Sequence, residues 1–284
     1  MHLGCVRLMH LEYRTKDASI QSLDLKGTES SLDLSGMGII EIDLSPLAHL
    51  ENLRALDLSA NHLKTVDLTP LGSCASLERL DMGSNLLSTL DLSPLVSCTN
   101  LILVSAGINK LTRIDLGPVS NWPLLEELYL HSNRLQSVDL DPLSANGHLR
   151  FLRLDDNQLI KIDLDPIAHC SNLQELFLEK NQLESIDVTP LQNCKSLEGL
   201  WLRASGILSI DLTPLIHCES LLWLDLSENL MKTVDVSPLI ACEELESFMI
   251  DERVPIMASS ELRDETWPLP VDRIKDRIYW VEFA

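Results

Sequence analysis

Nine aspartates, Asp43, Asp67, Asp91, Asp115, Asp139, Asp163, Asp187, Asp211 and Asp235, follow one another at a constant interval of 24 residues. Each sits in a phrase such as "KTVDLTPLGSC" (64–74) or "ESIDVTPLQNC" (184–194). Upstream runs a second pattern, clearest in "LRALDLSANHL" (53–63) and "LQELFLEKNQL" (173–183), so the whole unit reads LxxLxLxxNxLxxIDLxPLxxCxx. A unit this short cannot bury its own leucines. Successive units must therefore stack and share one elongated core. Within "ALDLS" (55–59), strand alternation sends the two leucines to one side and Ala55, Asp57 and Ser59 to the other.

Over residues 29–252 this unit resembles the leucine-rich repeat family. The resemblance implies an α/β, helix-poor solenoid: a right-handed horseshoe with a concave parallel β-sheet and short 3-10 or helical turns on the convex side. The short repeats are most similar to those of internalins and of the small phosphatase-regulator type. The resemblance also implies that Asn61, Asn85, Asn109, Asn133, Asn157, Asn181 and Asn229 stack as a ladder closing the turn after each strand. Asn tolerates a left-handed backbone and bonds its own local backbone, which suits that turn. Met37 and Ser205 interrupt the column and predict looser turns.

One continuous domain is expected, with an N-terminal cap (1–40), a solenoid of about nine repeats (41–252) and a C-terminal cap (253–284). The last segment abandons the repeat and gathers Trp267, Tyr279, Trp280 and Phe283. In "DRIKDRIYWVEF", Ile274, Ile278 and Val281 lie at helical spacing and predict an amphipathic piece laid over the last rung.

The aspartate phrase reads as a strand edge followed by a capped turn. The Ser, Thr, Asp or Gly before Pro is expected to act as N-cap, with Pro in the first helical position. Carboxylates stacked about 4.8 Å apart repel, and backbone N–H groups of the neighbouring turn are the expected offset. Shared Ca²⁺ is the other reading, but one carboxylate per rung falls short of calcium's six to eight oxygens, so no metal is assigned. Cys74, Cys98, Cys170, Cys194, Cys218 and Cys242 share one position, interrupted by Trp122 and Asn146. That spacing matches no zinc knuckle. The column reads as reduced thiols serving as small apolar core residues; Cys5 lies outside it.

The net charge of −21 argues against nucleic acid, which needs a Lys/Arg surface, and against an anionic membrane leaflet. The N-terminal residues show no signal-peptide run and no stretch is apolar over roughly 20 residues. A cytoplasmic chain is the expectation. No G-x-S-x-G, Walker loop or H-E-x-x-H occurs. Neither enzyme activity nor a cofactor is expected.

Aromatics make up only 4% of the chain, so their placement is informative. Tyr129, Phe151, Phe177, Trp201 and Trp223 all fall on outward strand positions of consecutive repeats, whereas the first three repeats carry none there. Cross-strand packing alone would explain them blandly. Flanked by Arg153 and Arg203, they have instead the composition of an interface hot spot. Glu127, Asp155, Asp156, Glu175, Glu179, Asp225 and Glu228 form an acidic rim. A monomeric scaffold is expected, binding a protein or peptide that is apolar at its centre and basic at its edges. The partner-binding residues would be Tyr129, Phe151, Arg153, Phe177, Trp201, Arg203, Trp223 and Asp225. A glycan or small-ligand module, or a self-assembling repeat, are the rival readings.

Overall fold

The computed structural model describes residues 9–282; Cys5 and Phe283 lie outside them. The chain divides into two compact units, Met1–Leu135 and Gln136–Ala284. In the first, the strands Ser31–Asp33, Ala55–Asp57, Arg79–Asp81, Leu103–Ser105 and Glu127–Tyr129 pair in parallel, each residue facing its equivalent 24 positions on. In the second, Phe151–Arg153, Glu175–Phe177, Gly199–Trp201, Trp223–Asp225 and Ser247–Met249 pair in the same way. The sequence period is therefore the sheet register. Parallel register begins at Ser31, and no helix among the described residues is long and apolar enough to cross a membrane.

Each strand is three residues long because only its central residue must point inward. Leu56, Leu80, Val104 and Leu128 in the first unit, and Leu152, Leu176, Leu200 and Leu224 in the second, are at most 1% exposed. The chain then turns over the asparagine column. Asn85 is typical. Its Nδ2 donates to the carbonyls of Leu58, Met82 and Gly83, and its Oδ1 accepts from Leu63 N–H. The ladder expected from the family is present, with two corrections. The left-handed residue is the one before each Asn (Ala60, Ser84, Ile108, Ser132, Asp156, Lys180 and Glu228, φ from 51° to 56°), because the Asn side chain must point into the core. Nor is the turn at Ser205 loose. Its Oγ donates to the Leu178 carbonyl at 2.8 Å and its carbonyl accepts from Leu183 N–H, while Asn229 Oδ1 takes up the Ser205 N–H. At Met37, by contrast, the side chain turns outward between two left-handed glycines, Gly36 and Gly38.

The return path is a five-residue 3-10 turn with Pro second, as in Thr69–Ser73 and Thr189–Asn193. The residue before Pro does not cap it. The aspartate two residues earlier does: Oδ1 of Asp43, Asp67, Asp91, Asp115, Asp139, Asp163, Asp187, Asp211 and Asp235 accepts the N–H of the residue two positions on, at 2.8–3.0 Å. A short carboxylate reaches that N–H without leaving its own turn, so the offsetting donor comes from the aspartate's own turn. Hydrogen bonds from Ser45, Thr69, Ser93 and Thr189 hold the carboxyls of Asp43, Asp67, Asp91 and Asp187 below the usual range. Among the described residues no group of three His, Cys, Asp or Glu is placed to hold a metal ion.

The cysteine column faces the core beneath these turns. All six thiols are free and fully buried, and each S–H points to a main-chain carbonyl 27 residues earlier, as in Cys98 to Leu71 at 3.3 Å. Trp122 obeys the same rule, its Nε1 donating to the Leu95 carbonyl at 2.9 Å. Burial pushes the thiols up, to about 11 in Cys98 and Cys218 and about 12 in Cys170, Cys194 and Cys242. The folded state thus keeps protons that the unfolded thiols release near pH 9. Stability from these groups is intact below about pH 9 and is lost as pH rises through 11–12. Urea midpoints should fall on that limb, and peptide mapping after maleimide labelling should find the column unmodified in the native protein at pH 8. Labelling of Cys194 in the folded chain would contradict the packing.

Both ends extend the strand that precedes the turn. Met9–Thr15 pairs antiparallel with Ile20–Leu25 and with Ile39–Ile42. At the other end Val234–Asp235, Ile256–Ser259 and Ile278–Val281 form a parallel trio. The helical spacing of Ile274, Ile278 and Val281 is therefore misleading. Among the described residues only Leu269–Asp272 is α-helical, and "IYWV" becomes a strand, as β-branched and aromatic side chains favour once a partner strand is at hand. Trp280 packs edge-on to Trp267 at 6.1 Å and under Arg263.

Candidate interaction face

On the second unit, outward strand positions form columns that run across the strands. Arg153, Phe177 and Trp201 occupy one column, and Trp223 the neighbouring one. Their side chains make a single row. The Arg153 guanidinium lies 4.8 Å over the Phe177 ring, Phe177 stacks on Trp201 (5.8 Å, 2° between planes), and Trp201 stacks on Trp223 (6.5 Å, 20°). Sequence alternation placed these side chains in solvent, but here they are half-buried. Each ring covers part of the next, which alternation alone does not reveal. Phe151 is also half-buried and lies under Arg150 at 5.3 Å. Tyr129 belongs to the first unit, where its hydroxyl donates to Glu127 and its ring meets His131 edge-on at 6.4 Å.

The charges on this face are largely engaged with one another. Arg153 forms a two-pronged pair with Asp155, Nε to Oδ1 at 3.0 Å and Nη2 to Oδ2 at 2.9 Å. Such a fork fixes the guanidinium plane over Phe177. Arg203 pairs with Glu228. Asp225, buried, accepts from the N–H and Oγ of Ser227. Glu179 differs: burial, reinforced by the charges of Asp155 and Asp225, pushes its carboxyl up to about 7 against the opposing pull of its own main-chain N–H and of Arg153.

Two further residues shape the row. The Trp201 indole N–H donates to Glu175 Oε2 at 3.2 Å, and its ring lies across Gly199. A Cβ on Gly199 would stand 2.8 Å from the indole nitrogen and 3.3 Å from Glu175 Cγ. A glycine within a strand is the sequence signal for such close approach. Gly199→Ala should tilt the indole, and the near-UV circular dichroism of the stacked tryptophans should collapse while the far-UV spectrum stays. An unchanged near-UV signal would mean that the row does not depend on this gap.

The family model for the leucine-rich repeat matches residues 30–87, and the same unit continues in register through Ser247–Met249. The fold is that of leucine-rich repeat proteins. Among solved structures, this repeat protein is similar to an internalin, InlF, of Listeria monocytogenes (26% identity, 82% of this chain and 70% of that one, TM-score 0.61). It is also similar to internalin C2 of the same organism (25% identity, 78% and 80% coverage, TM-score 0.52). The leucine-rich repeat ectodomain of the Arabidopsis thaliana receptor kinase GASSHO1/SCHENGEN3 shares the fold (24% identity, TM-score 0.70). There the match covers 84% of this chain but only 29% of the ectodomain. No curated protein matches the chain. Leucine-rich repeat proteins are in general protein-interaction scaffolds and typically non-enzymatic.

Proposed function

We propose that this repeat protein is a non-enzymatic, monomeric cytoplasmic scaffold that binds a protein or peptide on the sheet face of residues 151–225, with residues 1–40 and 253–284 as end caps. The observation that carries the reading is the stacked row Arg153–Phe177–Trp201–Trp223. Aromatic side chains that are pre-stacked and half-exposed lose little conformational entropy on binding, and such anchors dominate interface energies. The carboxylates around the row and the net charge of −21 favour a partner with basic edges. Thiols that serve as packing suit a reducing compartment. The plant ectodomain above was crystallised in complex with CASPARIAN STRIP INTEGRITY FACTOR 2, which supports the same use of the fold here.

Selection of random peptides against the intact chain tests the reading. Enriched sequences should combine an aromatic or aliphatic centre with flanking Lys or Arg and should bind one to one. Failure to enrich any sequence, with binding to a glycan panel instead, would transfer the face to carbohydrate. A mass that rises with concentration would make the row a self-assembly contact.

A further inference from the structure

Among the carboxylates of this face, Asp155, Asp225, Glu175 and Glu228 all hold donors within the chain. Oε2 of Glu179 is shut off from solvent and has no hydrogen-bond partner. Glu179 lies two positions beyond Phe177 on the outward side of its strand, so it stands at the flank of the aromatic row. The groups that face it are Arg153 and Asp155 from one neighbouring strand and Arg203 from the other, with Asp225 and Glu228 beyond. Both arginines are already committed, to Asp155 and to Glu228. The carboxyl draws on its own main-chain N–H, but a desolvated oxygen such as Oε2 without a donor is costly. A cationic donor would satisfy this oxygen, and none of the described residues donates to it.

We propose that Glu179 is the anchoring subsite for an arginine side chain of the bound partner, the carboxyl turning outward so that its enclosed Oε2 meets the guanidinium beside Phe177 and Trp201. This rests on the docking reading above. Arginine suits the place better than lysine because a planar fork can pair with a carboxylate and lie against aromatic rings together, as Arg153 already does with Asp155 and Phe177. Binding must ionise Glu179. Because its carboxyl is held at about 7 in the free chain, affinity should increase by about tenfold from pH 6 to pH 8 and flatten above that.

The test titrates N-acetyl-arginine methylamide and its uncharged citrulline isostere into the full chain, following the indole ¹⁵N–¹H signals of Trp201 and Trp223 at pH 6 and pH 8. The arginine probe should shift the Trp201 signal and bind about tenfold more tightly at pH 8, and the citrulline probe should not bind. Glu179→Gln, similar in size, should keep the melting temperature and lose both the binding and its pH dependence. A ¹³C titration of the wild-type Glu179 carboxyl, which needs no variant, should show its midpoint fall when the arginine probe is present. Equal affinity at both pH values, or a Glu179→Gln protein that binds like wild type, would overturn the proposal. If the arginine probe fails while selected peptides still need Trp201 and Trp223, the subsite falls and the docking face stands. If the peptides fail too, both fall.

Discussion

Replacing Trp201 and Trp223 together with Ala should weaken a selected peptide by about 100-fold or more while moving the melting temperature by only a few degrees. The two effects separate because the side chains sit on the outer side of the sheet. Beneath them, Leu200 and Leu224 remain at most 1% exposed and carry the core. What the fold loses is the stacking of Phe177, Trp201 and Trp223 and one indole bond to Glu175, about 2–4 kcal/mol in all. What binding loses is two anchors, each worth about 2 kcal/mol when truncated in an interface. Titration calorimetry on wild type and variant, with thermal unfolding of both, reads the two numbers. A double variant that unfolds at room temperature would show that the row is packing instead.

Trp122→Ala should be the most damaging single substitution for stability, at about 3–5 kcal/mol. Trp122 is fully buried at a position that six repeats give to Cys, so its indole fills space that no other rung fills, and it donates to the Leu95 carbonyl. Truncation leaves a cavity and strips the Leu95 carbonyl of one of its two donors, the other being the Cys98 N–H. Trp122→Cys should recover about 1 kcal/mol of that loss, because the thiol restores a donor, though a weak one, to the Leu95 carbonyl. Urea unfolding of the three proteins decides it. Equal midpoints for Trp122→Ala and wild type would mean that the repeats close over the gap.

The period of 24 made the register and the buried leucines legible, because in a stacked repeat the sequence interval and the pairing interval are one quantity; the asparagine ladder followed from the family resemblance. Roles that depend on atoms instead of columns were not. Alternation could not say that Asp67, not Thr69, provides the oxygen that closes the turn. Nor could it place the left-handed residue at Ala60 rather than Asn61. At the C-terminus, "IYWV" is short enough to suit helix or strand, and its choice rests on pairing with Ile256–Ser259, which no local signal records. On the face, the columns of Phe177, Trp201 and Trp223 were readable, but their stacking depends on side-chain rotamers, and Gly199 gains its meaning only once the Trp201 indole lies across it. Tyr129, legible as one more outward aromatic, is engaged in the first unit with Glu127 and His131.

The chain has five tryptophans, and their indole N–H signals give the most direct measurement of where a partner sits. A saturating selected peptide should shift Trp201 and Trp223 and leave buried Trp122 and the C-terminal pair Trp267 and Trp280 in place. Shifts confined to Trp267 and Trp280, with Trp201 and Trp223 unmoved, would place the partner on the C-terminal strands and contradict binding on the sheet face.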